Sequence, residues 1–420
     1  MFRFLTTLFT RITSLVLSFI IVLLNSRYLG AGGMGVISLI TLTISIFIII
    51  NELVGGGALV YLAPRYKKWQ LLKPAYGWAC ISSFLFFFII KILGLVPQHL
   101  VLYTSLSGLI FAINTANFNY LIGMKKVIWY NLLYFMQLFI LFILLVILYR
   151  FAGMQNEISY VFSLMAAYLI IGIISFILVL FVQSPSEINT SRTLPIILKF
   201  GALTQLANLI QLFNYRFGFY IIQHNCGKEE LGRFSIATQI SETSWIIGRS
   251  SAIVNYSDVS NSGVKNMIGR VLLITKFIGL TTFLSIVILN LIPAEFYKFM
   301  FGKEFTGLNM IIHCLSPGII LLAVSMVICS YFSGTGKVYI NTTSSLIGLL
   351  FTIPLALWII PKYGISGAAV VCSISYGASA IWTIYQFKKR AKLKLNDFFL
   401  TSGDVKKMVK ITYNLLHGTN

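Results

Sequence analysis

From Ile12 to Phe387 the chain is a succession of apolar runs, each close to the ~20 residues an α-helix needs to cross a bilayer. No polar block between them is large enough to fold alone. Only 10% of the 420 residues are charged and 58% are apolar, whereas a soluble domain carries about 25% charge. The chain therefore reads as an all-α integral membrane protein without a soluble catalytic unit. Twelve spans are expected, near 8–28, 35–60, 76–97, 100–122, 127–149, 157–182, 195–223, 231–254, 267–292, 306–333, 338–360 and 364–387. Turn chemistry such as "GMKK", "NCGKEE", "GTGK" and "PKYG" separates them. The N-terminal basic residues and apolar run look like a signal peptide, but the run is long and lacks an A-x-A site, so it reads as the first span.

Internal similarity sets the next level of organisation. "NYLIGMKKV" at 119–127 aligns with "SYFSGTGKV" at 330–338, an offset of 211 that also carries Gly153 onto Gly364. "MGVIS" at Met34 aligns with "LGRFS" at Leu231, an offset of 197. These matches keep their order and predict two pseudo-symmetric six-helix lobes, 1–187 and 188–387, followed by a basic tail, 388–420. An even number of spans per lobe makes them parallel repeats, a plan common among transporters.

The net charge of +21 fits a nucleic-acid binder, a surface facing anionic lipid, or a path for an anionic substrate. Placement decides against nucleic acid. Twenty-one of the 32 basic residues, eight of them in the tail, fall on one set of helix ends and eight on the other. Both termini are therefore expected in the cytoplasm. The remaining three, Arg216, Arg249 and Lys276, fall inside spans. The five cysteines show no C-x-x-C pair, and the four histidines are far apart, so neither a metal site nor any other cofactor is expected.

"RYLGAGGMG" holds Gly30, Gly32 and Gly35 in the spacing of a dinucleotide-binding turn. The apolar run before it is too long for a strand, and no βαβ unit follows. The glycines read instead as a place where two membrane helices approach closely.

Ionisable groups at mid-bilayer cost about 3 kcal/mol each on insertion scales, which singles out Glu52, Arg216, Glu242, Arg249 and Lys276. Glu242, Trp245 and Arg249 share one helical face at i, i+3 and i+7. Two readings stand for these charges. In one, Glu242 pairs with Arg216, Arg249 or Lys276 as interhelical glue. In the other, the cationic excess receives an anionic headgroup, with the Arg fork matched to phosphate. Gln205, Asn208, Gln211 and Asn214, spaced by three, suggest a wet stripe beside them. The candidate substrate-binding set is Arg216, Arg249, Lys276, Glu242, Asn214, Gln211, Arg27 and Glu52.

Over nearly its full length the chain resembles the Wzx-type polysaccharide flippases of the multidrug/oligosaccharidyl-lipid/polysaccharide exporter (MOP) superfamily. The resemblance rests on "RYLGAGGMGVISL", "NYRFGFYIIQHNCGKEELGRFSIATQISETSW", "FGKEFTGLNMIIHCLSPGI", "YFSGTGK" and "IPKYGISGAAVVCSISY". It implies two lobes around a cavity of alternating access in the bacterial inner membrane. The implied substrate is an undecaprenyl-pyrophosphate-linked oligosaccharide of O-antigen or capsule assembly. Membrane lipids, a polysaccharide polymerase and a chain-length regulator are the implied partners. Arg216 and Glu242 stand where the family carries an Arg in the seventh helix and a Glu in the eighth. Gly218 departs from the acid many relatives have two residues after that Arg, which puts ion coupling through that position in question. The rival readings are a multidrug or cation antiporter or a lipid II flippase of the same superfamily, and, from another class, a membrane-embedded glycan polymerase or transferase. The last would call for a catalytic loop or acidic cluster, and no D-x-D, H-E-x-x-H or G-x-S-x-G occurs.

Overall fold

The computed structural model of this chain describes residues 2–183, 193–261, 267–399, 401, 403 and 404. The expected lobe boundary at 187/188, Arg192 and the tail beyond Asp404 lie outside these residues. Thirteen α-helices follow one another among the described residues: α1 (Phe2–Gly55), α2 (Gly57–Leu62), α3 (Lys68–Leu93), α4 (Val101–Gly123), α5 (Val127–Val146), α6 (Glu157–Phe181), α7 (Thr193–Cys226), α8 (Lys228–Glu242), α9 (Ile246–Asn261), α10 (Ile268–Leu291), α11 (Ala294–Phe301), α12 (Leu308–Gly334) and α13 (Tyr339–Ala391).

Eight helical stretches among the described residues are long and apolar enough to cross a membrane. Two of these, Ile12–Leu62 and Tyr339–Ala391, run for 51 and 53 residues, more than twice the length one crossing needs. They break at Gly30 (φ 65°, ψ −168°) and Gly364 (φ 58°, ψ −142°), backbone angles that a side chain would strain. α7 and the α8–α9 pair cover two further expected spans; their apolar sequence is interrupted by Gln205, Gln211, Arg216 and Glu242, and they are not among the eight. Boundaries shift from the expectation in places. α3 starts at Lys68 rather than near 76, the helix after Gly30 stops at Gly55, and α13 continues through Lys388–Arg390 to Ala391.

The chain packs as two units. The first comprises Met1–Leu212, Gly227–Gly232 and Lys298–Phe305; the second comprises Phe213–Cys226, Arg233–Tyr297 and Thr306–Asn420. In the first, Val54, Leu59, Leu62, Leu71, Leu72, Phe118, Leu121 and Ile171 form a buried core. Polar side chains join the helices beside it: Asn117 Nδ2 donates to Ser175 Oγ (2.9 Å) and Asn51 Nδ2 to Ser82 Oγ (2.8 Å). Phe84, Ile92, Ile173 and Phe181 point outward. In the second unit Leu350, Leu357, Trp358 and Ile381 do the same. Small polar groups inside and large apolar groups outside is the distribution expected where lipid is the solvent.

The internal repeat is visible in the backbone. Lys126 N donates to Leu121 O (2.8 Å) at the end of α4, and Lys337 N donates to Phe332 O (2.8 Å) at the end of α12, an offset of 211 in both partners. The positive φ of Lys125 (60°) recurs at Gly336 (74°) and that of Gly153 (66°) at Gly364 (58°), again at that offset. At the other offset, Gly30 (65°) recurs as Gly227 (88°).

Candidate functional site

The glycine turn lies in the first unit. A Cβ on Gly35 would overlap the Lys228 carbonyl oxygen, and a Cβ on Gly232 would overlap the Ala31 carbonyl oxygen. Both pairs obey the offset of 197, so two equivalent helix starts cross each other reciprocally and only glycine lets them approach this closely. Around the crossing, helix ends are capped in trans. Arg27 donates to the last carbonyls of α11, Phe299 O (2.8 Å) and Met300 O (3.1 Å). In return Glu304 accepts from Ala31 N (2.7 Å), the first amide after the Gly30 break. A cation on carbonyls and an anion on an amide both follow the helix dipole. The dinucleotide spacing is thus a helix crossing, as the length of the preceding run predicted, and Arg27 is engaged with backbone carbonyls.

In the second unit, Arg216 of α7 forms an ion pair with Glu242 of α8. Nη2 donates to Oε2 (2.7 Å) and Nη1 lies 2.7 Å from Oε1 as a charge contact, and the side chains keep 22% and 17% of their surface exposed. Glu242 is the last residue of α8. A 3₁₀ turn, Thr243–Trp245, follows because Thr243 turns its hydroxyl onto Ile240 O (2.6 Å) and Ser244 reaches Ser285 (3.2 Å). That turn interrupts the continuous face expected from Glu242 to Arg249. Trp245 instead turns inward, fully buried, and Arg249 lies exposed with its guanidinium carbon 5.5 Å from the indole centre. Tyr215, Trp245 and Tyr376 form an aromatic cluster with centroids 5.3–6.1 Å apart. The indole Nε1 is buried with no hydrogen-bond partner among the described residues, while the Tyr376 hydroxyl meets the Cys372 thiol. The indole N–H is a donor, so the cluster beside the Arg216–Glu242 pair has one donor to spare. Gly218 needs no glycine here, since a Cβ would meet only Ile360 Cδ1 at 3.6 Å.

The rest of the expected set is dispersed. Lys276 of α10 is buried against Asp404 (2.6 Å) and is not with Arg216 or Glu242. Asn214 is buried and saturated: its Oδ1 accepts from Thr352 Oγ1 (2.9 Å) and Ser375 Oγ (2.5 Å), and its Nδ2 donates to Ser379 Oγ (3.3 Å). Glu52 bonds the Gln205 side chain, which accepts in turn from Asn208 Nδ2 (3.0 Å), in the first unit. Gln211 is exposed. The expected wet stripe therefore does not form. Three steps of three residues turn an α-helix by about half a revolution beyond whole turns, so Gln205 and Asn214 face opposite ways. Tyr376, Ser375 and Thr352 escaped the sequence reading because they are ordinary residues of apolar runs; no spacing signal marks them. Among the described residues no cluster of His, Cys, Asp and Glu could hold a metal ion.

No family model matches the chain. A capsular polysaccharide biosynthesis protein, CapF of Staphylococcus aureus, is 28% identical over 178 residues, which cover 40% of this chain and 44% of that protein, less than half its length. A structure of the lipid II flippase MurJ in an inward closed conformation superposes with a TM-score of 0.75 at 16% identity, over 94% of this chain and 89% of that one. An inward-facing multidrug resistance MATE transporter of the MOP superfamily gives 0.65 at 14% identity, over 88% and 93%. A MOP superfamily transporter from Pyrococcus furiosus gives 0.63 at 13% identity, over 93% and 95%. The fold is that of the MOP-superfamily transporters.

Proposed function

We propose that this chain, with its MOP-type fold, is a flippase that carries a polyprenyl-pyrophosphate-linked oligosaccharide from the cytoplasmic to the outer leaflet of the bacterial inner membrane by alternating access. In this reading twelve crossings, two from each broken helix and one each from α7 and α8–α9, keep both termini in the cytoplasm. The capsule-related relative and the lipid II flippase fold support a lipid-linked saccharide as cargo.

The observation that carries the reading is the Arg216–Glu242 pair with the unpartnered Trp245 indole N–H beside it. A pyrophosphate presents planar sets of oxygens that match the guanidinium fork. Glu242 holds that fork in place when no anion is bound, and a phosphate exchanges with the carboxylate on entry. The idle Trp245 N–H then finds an acceptor, and Arg249, stacked on the same indole, adds a second exposed cation. A multidrug or cation antiporter would call for a free acid as its working group; Glu242 is engaged by Arg216 and Glu52 by the Gln205 amide.

The test is complementation of surface-polysaccharide export in a strain lacking this gene, with membrane abundance measured alongside. Arg216→Ala at normal abundance loses export in this account. Full export by an Arg216→Ala, Arg249→Ala double variant would refute it.

A further inference from the structure

Lys276 sits two turns into α10 with only 7% of its side chain exposed, and the anion it meets comes from 128 residues away. α13 ends on Lys392, a left-handed residue (φ 55°). The next turn, Leu395–Phe398, is closed by Lys394 N donating to Asp397 Oδ2 (2.7 Å), and Phe398 packs edge-on against Phe387 with centroids 6.2 Å apart. Asp404 then places a single oxygen, Oδ2, among three donors: Lys276 Nζ (2.6 Å), Thr401 Oγ1 (2.7 Å) and Thr401 N (3.1 Å). Two of these donors belong to Thr401 on Asp404's own turn; the Lys276 ammonium is the donor that α10 itself offers, and a phosphate oxygen takes such a donor readily.

Around this contact lies a cavity of about 280 Å³ lined by Gly269, Arg270, Leu272, Leu273, Lys276 and Asp404. Gly269, Leu272, Leu273 and Lys276 fall at i, i+3, i+4 and i+7, one face of α10, and a Cβ on Gly269 would meet open space. The face thus offers room, two apolar side chains and a buried cation, with Arg270 at its edge. Five more basic residues, Lys388, Lys389, Arg390, Lys392 and Lys394, precede Asp404 and draw anionic lipid toward it.

We propose that this pocket of α10 binds the phosphate headgroup of an anionic phospholipid, and that Asp404 is its built-in occupant, a carboxylate that lipid phosphate displaces. The site is separate from Arg216 and does not depend on the flippase reading. Its chemistry is shared by lipid phosphate and free phosphate, but the leucines beside Lys276 favour a phosphate that carries acyl chains.

Native mass spectrometry of the purified full chain, counting retained phosphatidylglycerol, tests this. Asp404→Asn removes the competing carboxylate and should raise retention severalfold. Phosphatidylcholine should show no gain. The Lys276→Gln, Asp404→Asn double variant leaves no buried unpaired charge, so it should fold, and it should lose the gain. Equal retention by wild type and Asp404→Asn, or a gain that survives Lys276→Gln, overturns the proposal. Inorganic phosphate that elutes the lipid at equal concentration overturns the lipid assignment in favour of a soluble anion.

Discussion

Gly35 and Gly232 occupy equivalent places in two repeats, and each accommodates a backbone carbonyl contributed by the helix start of the other, from Lys228 and Ala31. A methyl group at either position must push two helix backbones apart, and overpacking of this kind costs about 1–3 kcal/mol. Gly35→Ala and Gly232→Ala should each lower the melting temperature and reduce export. Gly32→Ala is the contrast: its Cβ would meet Lys228 Cε at 3.3 Å, the far end of a flexible side chain, and should be tolerated. A melt that ranks Gly32→Ala with the other two would contradict the crossing.

Arg216 and Glu242 can be separated into structural and functional roles by exchange. The Arg216→Glu, Glu242→Arg double variant keeps an ion pair and should restore membrane abundance, yet export should stay about tenfold down, the equivalent of one charge-assisted contact worth roughly 1.4 kcal/mol. Arg216→Lys should fall between wild type and Arg216→Ala because a single ammonium cannot present the fork. Export that returns in full with the exchanged pair would assign both residues to helix pairing alone.

Much of this organisation is legible in the sequence because it repeats with a fixed offset or needs glycine. The breaks at Gly30 and Gly364, the turns at Lys125 and Gly336 and the crossing at Gly35 belong to that class. Arg216 and Glu242 were legible as candidates because charges inside an apolar run are expensive, but the sequence left Arg249 and Lys276 as equal alternatives for the partner of Glu242. The partners of Lys276 and Arg27 were not. Asp404 lies beyond the last span and the Phe299 and Met300 carbonyls are backbone, so neither contact leaves a side-chain pattern. The 3₁₀ turn at Thr243–Trp245 depends on hydroxyls bonding locally, a choice helix periodicity does not encode.

Lys68 counts as a topogenic charge in the sequence but has a second task in the first unit. Its buried ammonium donates to Val179 O (2.8 Å), Leu180 O (2.9 Å) and Val182 O (2.9 Å), closing the C-terminal end of α6. Lys68→Met keeps most of the stem and leaves three carbonyls short of a donor, a loss of about 1–3 kcal/mol. Thermal unfolding should register it, while export per folded molecule stays at the wild-type level.

The ion pair of Asp404 with Lys276 should ignore mild acid. Hydrogen bonds from Lys276 and from the Thr401 hydroxyl and amide hold the Asp404 carboxyl down at about 2, below its usual 3.8. A lowered carboxylate contributes fully above its ordinary value and loses that contribution only as pH falls toward the folded value. Lys276, Arg270 and Thr401 are the charged and polar groups that face it. Phosphatidylglycerol retention by wild type should therefore be the same at pH 5 and pH 7.5; a rise at pH 5 would mean that protonation breaks the pair.

The central claim, that the chain moves a pyrophosphate-linked glycolipid through a site built on Arg216, is tested most directly in vesicles. The purified full chain is reconstituted with a polyprenyl-pyrophosphate oligosaccharide confined to one leaflet, and a membrane-impermeant lectin reads its arrival on the other. Translocation should exceed that of protein-free vesicles, be lost with Arg216→Ala and be competed by unlabelled lipid-linked oligosaccharide. Translocation at the protein-free rate, or an Arg216→Ala protein as fast as wild type, would rule out transport through a site built on Arg216.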